Sequence, residues 1–182
     1  MNQLKIVAIV GESGSGKSTI AELLSKEGYK YINSFTTRKP RYEGERGHIF
    51  TTEKQYQCNK AQGAIVAETI FDKERYWTTR GQFNGTCIYV VDVAGVKDLK
   101  QKMKDAEIVV IYLKCDEKER FERIFTRSLE SNATFKEAIN KAGERIIHDR
   151  EVFKIIQVDT VVDSNRPMED VFKDVLEVIR EA

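Results

Sequence analysis

The chain has 182 residues, 41% of them apolar, which fits one globular domain with enough apolar side chains to build a core. Its 30 basic and 29 acidic side chains leave a net charge of +1, so no global field marks it as a nucleic-acid or membrane-surface binder. Cys58, Cys87 and Cys115 are far apart, which argues against a disulfide framework and a zinc site and favours the reducing cytoplasm. We find neither a signal-peptide pattern nor an apolar stretch approaching about 18 residues, so we expect neither secretion nor a membrane span.

The first functional motif is GESGSGKST, Gly11 to Thr19, which has the spacing G-x-x-x-x-G-K-[ST] of a phosphate-binding loop. It follows the apolar, β-branched run Leu4 to Val10 and precedes a segment with a helical apolar stripe, the context that such a loop requires. Glycines let backbone N–H groups approach a polyphosphate, a lysine adds a mobile cation, and a hydroxyl suits Mg²⁺. The motif therefore predicts a polyphosphate site formed by Gly11, Ser13, Gly14, Ser15, Gly16, Lys17, Ser18 and Thr19, with Ser18 as the metal ligand.

Downstream, strand-like and helix-like segments alternate along the chain. We predict strands at Tyr29 to Ile32, Ile88 to Val91, Ile108 to Leu113 and Thr160 to Val162, and helices within Thr51 to Gly63, over Gly95 to Met103, after a capping box at Asp116 and Glu119, along Ile139 to Phe153, and after Pro167. Alternation of this kind implies a mostly parallel sheet covered on both faces, with the ligand at the carboxyl ends of the strands. Residues from about 34 to 86 and from about 126 to 136 break the alternation and are predicted to be inserted segments.

Several charged residues outside the loop are candidates for function. The stretch NSFTTRKPRYEGERG, residues 33–47, carries four basic side chains without helical or strand periodicity, which is typical of a binding loop or of a solvated linker. Glu68 ends an apolar run, and Asp92 ends a predicted strand at the sheet edge where α/β proteins place catalytic carboxylates. Each has a structural alternative, a salt-bridged strand-end acid for Glu68 and a helix or turn cap for Asp92.

The phosphate loop and the stretch SFTTRKPRYEGERG together resemble the guanylate kinase family, whose second motif runs approximately T-T-R-x-P-R-x-G-E before a glycine. The matching positions are Ser34, Thr36, Thr37, Arg38, Pro40, Arg41, Gly44, Glu45 and Gly47, and VDVAGV at residues 91–96 resembles the family's D-x-x-G segment. The resemblance implies an α/β fold of the P-loop NTPase type, with three α/β/α layers and a mostly parallel sheet. It also implies one domain, with a core of residues 1–33, 87–125 and 137–182, a nucleoside-monophosphate-binding insert at 34–86 and a lid at about 126–136.

The resemblance further implies an ATP-dependent kinase that uses Mg²⁺ and phosphorylates GMP or dGMP. Glu68 would discriminate, because a carboxylate accepts hydrogen bonds from both N1–H and the amino group of guanine. The implied GMP-binding residues are Ser34, Arg38, Arg41, Glu68, Trp77, Thr79 and Asp92, with Arg38 and Arg41 on the acceptor phosphate. The implied catalytic residues are Lys17, Arg38, Asp92, Arg123, Arg127 and Arg145. Since runs of arginine on helices also occur as solvated faces, that alternative stays open for the last three.

The sequence departs from the family pattern at the acceptor site. One extra residue stands between Arg41 and Gly44, no tyrosine follows the motif's glycine, and Trp77 and Thr78 occupy positions of a tyrosine and a glycine. Two alternatives therefore accompany guanylate kinase: a kinase of the same fold with another nucleotide or a phosphorylated sugar as acceptor, and a non-catalytic interaction module, against which the complete loop argues. We expect ATP and GMP or dGMP as partners, no nucleic acid or membrane, a monomer or homodimer, and a cytoplasmic location.

Overall fold

The structure, a computed structural model, describes residues 3–40, 43–45, 47–154 and 156–181. In chain order its elements are β1 (Leu4–Val10), α1 (Lys17–Lys26), β2 (Lys30–Ile32), β3 (Ser34–Thr36), β4 (His48–Phe50), α2 (Glu53–Ala61), β5 (Ile65–Phe71), β6 (Glu74–Thr79), β7 (Thr86–Val90), α3 (Val93–Lys102), β8 (Ala106–Lys114), α4 (Glu117–Glu130), α5 (Phe135–Val152), β9 (Thr160–Asp163) and α6 (Met168–Glu181). A short 3₁₀ turn, Arg80–Gln82, lies between β6 and β7.

The main sheet has five parallel strands in the order β2-β7-β1-β8-β9. The central strand is β1, in which Val7 lies opposite Ile88 of β7 and Val109 of β8. Because helices cover both faces of a parallel sheet, a central strand is apolar along its length rather than alternating, as β1 is. The predicted mostly parallel sheet is confirmed.

Helices pack against both faces of this sheet. On one face, Leu24 of α1 and Val175 of α6 pack in a buried cluster with Ile9 of β1. On the other face, Leu99 of α3 packs with Ala8 of the same strand. Alternate residues of β1 thus point into separate cores, since side chains alternate along a strand. This arrangement confirms the predicted three-layer α/β/α fold of the P-loop type.

A second sheet, in the order β4-β3-β6-β5, is built from residues within the predicted insert at 34–86. Helix α2 packs on one face of it, where Tyr56 and Trp77 are buried together with Ile65. The binding loop predicted at residues 33–47 begins with a strand, β3, which the sequence does not reveal because three residues are too few for a visible alternation. Arg41 lies outside the described residues.

Helices α4 and α5 pack against each other through Ile124, Ala142 and Ile146. The predicted lid, about residues 126–136, comprises the end of α4, the turn after it and the start of α5. Its role as a lid, like the division into core, insert and lid, stays a prediction.

The capping box predicted at Asp116 and Glu119 is wrong. Asp116 is the N-cap of α4 but its side chain accepts no capping hydrogen bond, and Glu119 instead accepts Arg123 Nε at 2.9 Å. The Glu119 carboxylate pairs with Arg123 one helical turn later and does not accept the backbone N–H of Asp116, as a capping box requires. A capping box is found instead at Thr134 and Glu137, where α5 begins.

Among the described residues, no helix is both long and apolar enough to cross a bilayer.

Candidate active site

The phosphate loop connects the carboxyl end of β1 to the N-terminus of α1, so its backbone N–H groups gather at one edge of the sheet. Two of its glycines are required by space as well as by their positive φ angles of 152° and 83°. A Cβ on Gly11 would lie 2.7 Å from the Leu113 carbonyl oxygen, and one on Gly14 would lie 2.9 Å from the Arg120 carbonyl oxygen. The sequence pattern thus reflects close contacts of the loop with β8 and α4.

Lys17, the first residue of α1, folds back across the loop, where its Nζ donates a hydrogen bond to the Glu12 carbonyl oxygen at 2.8 Å. Burial lowers the pKa of Lys17 from 10.5 to about 8, and the nearby carboxylates of Asp149 and Glu12 offset part of that effect. Glu12 is itself held by the Tyr112 hydroxyl, which donates to its carboxylate at 2.8 Å. The loop therefore holds a partly buried ammonium group against its own backbone.

An acidic side chain that the sequence analysis missed enters the loop from α5. Asp149 Oδ2 accepts the backbone N–H of Ser13 at 2.6 Å, and Arg120 Nη1 of α4 lies 3.5 Å from the same oxygen. The Asp149 side chain is only 7% exposed. The one signal in the sequence is its position four residues after Arg145, which places the two on one face of a helix.

The remaining loop residues differ in their surroundings. Ser15 is fully buried, and its Oγ finds no hydrogen-bond partner within the described part of the chain. Ser18 and Thr19 are exposed at the start of α1, and the Ser18 hydroxyl contacts that of Tyr31 on β2, whose pKa burial raises to about 12.

An exposed hydroxyl next to the loop suits Mg²⁺, which keeps several waters and binds few protein ligands when phosphates supply the others. The described residues contain no group of three or more His, Cys, Asp or Glu side chains that could hold a metal alone. The residues present therefore fit a metal that arrives with a polyphosphate.

A cavity of about 460 Å³ separates the loop from the second sheet. Its walls include Lys17 from the loop, Ser34 and Tyr76 from the second sheet, and Arg145 from α5. Asp92 also lines it, and its Oδ1 accepts the Gly95 N–H at 2.7 Å as the N-cap of α3. Asp92 is therefore a helix cap, the structural alternative predicted for it, and it also lines the cavity.

Arg38 lies two residues after the end of β3, in a dense set of contacts. Its Nη1 and Nη2 donate to the two carboxylate oxygens of Glu45 at 3.0 and 2.9 Å, and its Nε donates to the Tyr76 hydroxyl at 3.2 Å. The Phe50 ring lies 5.2 Å from the guanidinium carbon. This forked pairing raises the pKa of Arg38 and fixes the plane of its guanidinium group.

The three arginines predicted after residue 120 do not share one environment. Arg123 donates to the Gly14 carbonyl oxygen at 3.3 Å and to the Ser164 carbonyl oxygen at 3.2 Å, so it braces the phosphate loop. Arg127 and Arg145 line a second cavity of about 950 Å³. Both lower the pKa of Lys17, which places their charges near the loop.

The structure does not bring all of the predicted guanine-reading residues to the cavity. Glu68 is part of the cavity wall, yet its Oε2 accepts the Tyr56 hydroxyl at 2.5 Å on the α2 side of the second sheet. Trp77 lies directly opposite Glu68, is fully buried, and donates its Nε1 to Asn59 Oδ1 of α2 at 3.0 Å. Thr79 caps the 3₁₀ turn that follows β6.

Because side chains alternate along a strand, a shift of one residue reverses the face that each presents. Tyr76 lines the cavity, whereas its neighbour Trp77 faces α2. Thr78 is buried next to the cavity wall, where its hydroxyl contacts that of Tyr89 on β7 at 3.3 Å. The alternation of side chains along β6 predicts that Tyr76 and Thr78 share one face and that Trp77 lies on the other. The sequence alone does not indicate which of these two faces lines the cavity.

Comparison with known proteins places this geometry in a family. A family profile described as "AAA domain" matches residues 7–146. The guanylate kinase of Porphyromonas gingivalis is 25% identical over 154 residues, covering 78% of this chain and 82% of the relative. The guanylate kinase of Nitrobacter winogradskyi is 24% identical over 179 residues, covering 92% and 78%. The crystal structure of guanylate kinase from Anaplasma phagocytophilum matches 99% of this chain and 87% of its own with a TM-score of 0.67 and 18% identity.

The fold and these relatives define the class of the protein, a P-loop kinase of the nucleoside monophosphate kinase type that depends on ATP. The chain belongs to the P-loop family described as "AAA domain", and its resemblance to the guanylate kinases is confirmed.

Proposed function

We propose that this chain transfers the γ-phosphoryl group of ATP to a nucleoside monophosphate, with GMP and dGMP as the first candidates. The observation that carries the proposal is the cavity of about 460 Å³ that lies between the phosphate loop and the second sheet. Lys17 stands on one wall and Ser34 on the other, so a donor and an acceptor held by the two walls would meet between them. The relatives named guanylate kinase support the same reaction.

The donor half of the site would work through alignment and neutralisation of charge. The backbone N–H groups from Ser13 to Thr19 and the N-terminus of α1 would hold the β- and γ-phosphates, with Lys17 as the mobile cation. Ser18 would hold Mg²⁺, which lowers the negative charge on the transferred group when it is bound. No covalent intermediate on the protein is required, because the acceptor oxygen attacks the phosphorus directly.

The acceptor half would hold the monophosphate with arginine. Arg38 is oriented by its paired hydrogen bonds to Glu45 and by the Tyr76 hydroxyl, so binding would exchange the Glu45 carboxylate for phosphate oxygens at a guanidinium group whose plane is already fixed. Arg41 is proposed as its partner on sequence grounds. Asp92, at the N-cap of α3, would organise Mg²⁺ through water or hold a catalytic arginine near the acceptor.

Arg127 and Arg145 would complete the site from α4 and α5. Their charges lie near Lys17, and both line the cavity that adjoins Ser18. We propose that these helix ends and the second sheet move toward the loop when both nucleotides bind, because water in an open site would compete as the acceptor. In this proposal residues of about 126–136 act as the lid. We also propose that the protein is located in the cytoplasm.

A specific observation favours a second candidate acceptor. Guanine selection by Glu68 needs one carboxylate oxygen for N1–H and the other for the amino group, and the Tyr56 hydroxyl, which donates to Oε2 at 2.5 Å, competes for one of the two. The second candidate is therefore the same transfer to a nucleoside monophosphate with another base.

The test is ADP formation from ATP and Mg²⁺ with GMP, dGMP, AMP, CMP, UMP or dTMP as the acceptor. A Lys17→Ala variant is the control, and its loss of turnover would assign the activity to the phosphate loop. Turnover with at least one acceptor is expected. If the protein binds ATP but phosphorylates none of the six, the proposed function is wrong.

A further inference from the structure

Helices α4 and α5 share an exposed apolar surface. It consists of apolar or small residues that recur every four positions along each helix, which are Phe125 and Leu129 of α4 and Phe135, Ile139, Gly143 and Ile147 of α5. We call these six residues the α4–α5 surface. Phe135 and Ile147 are 66% and 64% exposed, and Ile139 and Leu129 are 40% and 38% exposed. Four of the seven large apolar side chains that are exposed in the described part of the chain thus lie here, and such a cluster marks an interaction surface.

Two contacts between the helices place these residues on one side of the pair. The rings of Phe125 and Phe135 lie edge-on, with 5.2 Å between their centroids, and at the other end of the helices Arg150 Nε donates to Glu117 Oε2 at 2.8 Å. Helices that meet in this order run antiparallel. Because residues four apart on a helix share a face, the apolar side chains between the two contacts form one continuous surface.

The residues of α4 and α5 that reach the phosphate loop lie on the opposite side. Arg123 and Asp149 both bond to backbone groups of the loop. Arg123 precedes Phe125 by two residues, which is about 200° of rotation around a helix. Asp149 follows Ile147 by the same interval. The α4–α5 surface therefore faces away from the loop, and phosphoryl transfer does not explain its apolar character.

We infer that the α4–α5 surface binds a second copy of this chain, so that the protein forms a two-fold symmetric dimer through a bundle of four helices. The two-fold axis runs parallel to the helices, and α4 of each copy lies antiparallel to α5 of the other. Such a dimer is closed, because each copy uses the same surface. The inference goes beyond the proposed function and does not depend on it.

The shapes of the two helices suit this pairing. Ile124 of α4 packs with Ala142 of α5 inside the helix pair, so the next residue, Phe125, stands at a level between Ile139 and Gly143. A two-fold axis parallel to the helices keeps these levels. Phe125 of one copy therefore inserts between Ile139 and Gly143 of the other, as a side chain of one helix fills a groove of its neighbour. A Cβ at Gly143 would meet no atom within 4 Å, so the groove there is open to the ring.

The charges at one end of the surface suit the same pairing. Glu117 and Arg150 form an ion pair within each copy, and the two-fold axis brings Glu117 of each copy beside Arg150 of the other. Four charges then alternate in sign. The exposed Lys118 and Glu151 stand next to this group on α4 and α5, and they meet across the interface in the same way. A second copy thus offers opposite charges where this surface carries its own, which favours self-association over a partner of one charge.

The size of the surface predicts the strength of the dimer. Helix α4 has 14 residues and is about 21 Å long, and two adjacent helices are about 20 Å wide, so each copy presents about 400 Å². A stable interface buries about 800 Å² per partner. We therefore expect monomer and dimer to interconvert at micromolar concentrations.

The experiment is sedimentation equilibrium of the full chain between about 5 and 500 µM, a range that spans the dissociation of a weak interface. The unaltered chain is compared with Ile139→Glu and Ile147→Glu, which place a charge in the apolar surface. Val161→Glu is the matched control, because Val161 of β9 is 53% exposed and lies outside the surface. Thermal unfolding verifies that each variant is folded.

We expect the mean mass of the unaltered chain to rise from 20.9 kDa toward twice that value and to level off there. Ile139→Glu and Ile147→Glu should each weaken the dimer at least about tenfold, since the two-fold axis buries each charge twice. Val161→Glu should change the dissociation constant by less than about twofold. A monomer at every concentration would overturn the inference and leave the surface to a partner of another kind. A mass that grows beyond the dimer would also overturn it, and so would a dimer that tolerates both glutamates in the surface or that Val161→Glu weakens equally.

Discussion

The Asp149 carboxylate of α5 accepts the backbone N–H of Ser13 in the phosphate loop, with 2.6 Å between the two atoms. Backbone N–H groups of such a loop are the donors that a polyphosphate uses. An acidic side chain of the protein thus takes the hydrogen bond of an incoming anion. Since the same helix carries Arg145, binding of ATP would displace Asp149 and move this arginine with it.

Asp149→Asn is expected to tighten ATP binding by about three- to tenfold, because the amide removes a negative charge from the path of the phosphates and is a weaker acceptor for the Ser13 N–H than the carboxylate. The measurement is titration calorimetry with ATP. Glu151→Gln, which removes a charge from the exposed end of the same helix, should leave the affinity unchanged. Weaker ATP binding in Asp149→Asn would contradict the displacement.

The same substitution is expected to lower the free energy of unfolding, since Arg120 is 5% exposed and Asp149 is its acidic neighbour at 3.5 Å. Breaking a buried pair by removing one partner costs about 3–5 kcal/mol, and asparagine keeps part of this as a hydrogen-bond acceptor. Urea unfolding of the two variants would separate this effect on stability from the effect on affinity.

The depressed pKa of Lys17, about 8, predicts that ATP binding takes up a proton at alkaline pH. Phosphates near the ammonium raise its pKa, so at pH 8.5 a Lys17 that is mostly neutral would become charged on binding. The phosphate itself contributes little there, because its second pKa is about 6. Calorimetry at pH 8.5 in two buffers of different ionisation enthalpy measures this uptake, which should vanish in Lys17→Ala. An unchanged proton uptake in that variant would assign it to another group.

The same pKa has a consequence for stability. In the unfolded chain Lys17 titrates near 10.5, so between pH 8 and 10.5 the unfolded state binds more protons than the folded state. The contribution of Lys17 to stability therefore increases with pH across this window. It is measured as the difference between the unaltered chain and Lys17→Met in free energy of unfolding at pH 8 and pH 10. A difference that stays constant would contradict the shifted pKa.

The layers and the phosphate loop could be predicted from the sequence, since β1 is a continuous apolar run and the spacing from Gly11 to Ser18 is set by local backbone geometry. The wall of the cavity that the second sheet forms could be predicted only in part, at Ser34 and Glu68. There a bulge between Ile65 and Ala67 shifts the register of β5 against β6, and one residue decides which side chains face the cavity. The contact of Asp149 with Ser13 joins residues 136 positions apart, and no local pattern encodes it.

The arginines of α4 and α5 are expected to separate by function. Arg127→Ala and Arg145→Ala should each lower kcat by about 10²–10³, because their charges lie near Lys17 and would stabilise the charge of the transferred phosphoryl group. Arg123→Ala should mainly weaken ATP binding and lower the melting temperature, since Arg123 holds the carbonyl oxygens of Gly14 and Ser164. Steady-state kinetics with saturating acceptor and thermal unfolding distinguish the two classes. Equal losses of kcat in all three variants would contradict this separation.

The last prediction concerns Gly95, in the first turn of α3, the helix that packs against β5 of the second sheet. A Cβ at this position would lie 2.3 Å from Cγ2 of Val91 and 3.2 Å from Oδ1 of Asp92, the cap of the same helix. Gly95→Ala should therefore lower the free energy of unfolding by about 1–3 kcal/mol, the usual cost of overpacking, although alanine favours a helix more than glycine does.

Gly143 of α5 is the matched control, because a Cβ there would meet no atom within 4 Å. Gly143→Ala should stabilise the protein by about 0.5–1 kcal/mol through helix propensity alone. The opposite signs of the two substitutions, measured by urea unfolding, would separate the tight contact at Gly95 from the general effect of replacing glycine in a helix. If both variants are stabilised, Val91 has moved aside, and the packing around the first turn of α3 is looser than the structure indicates.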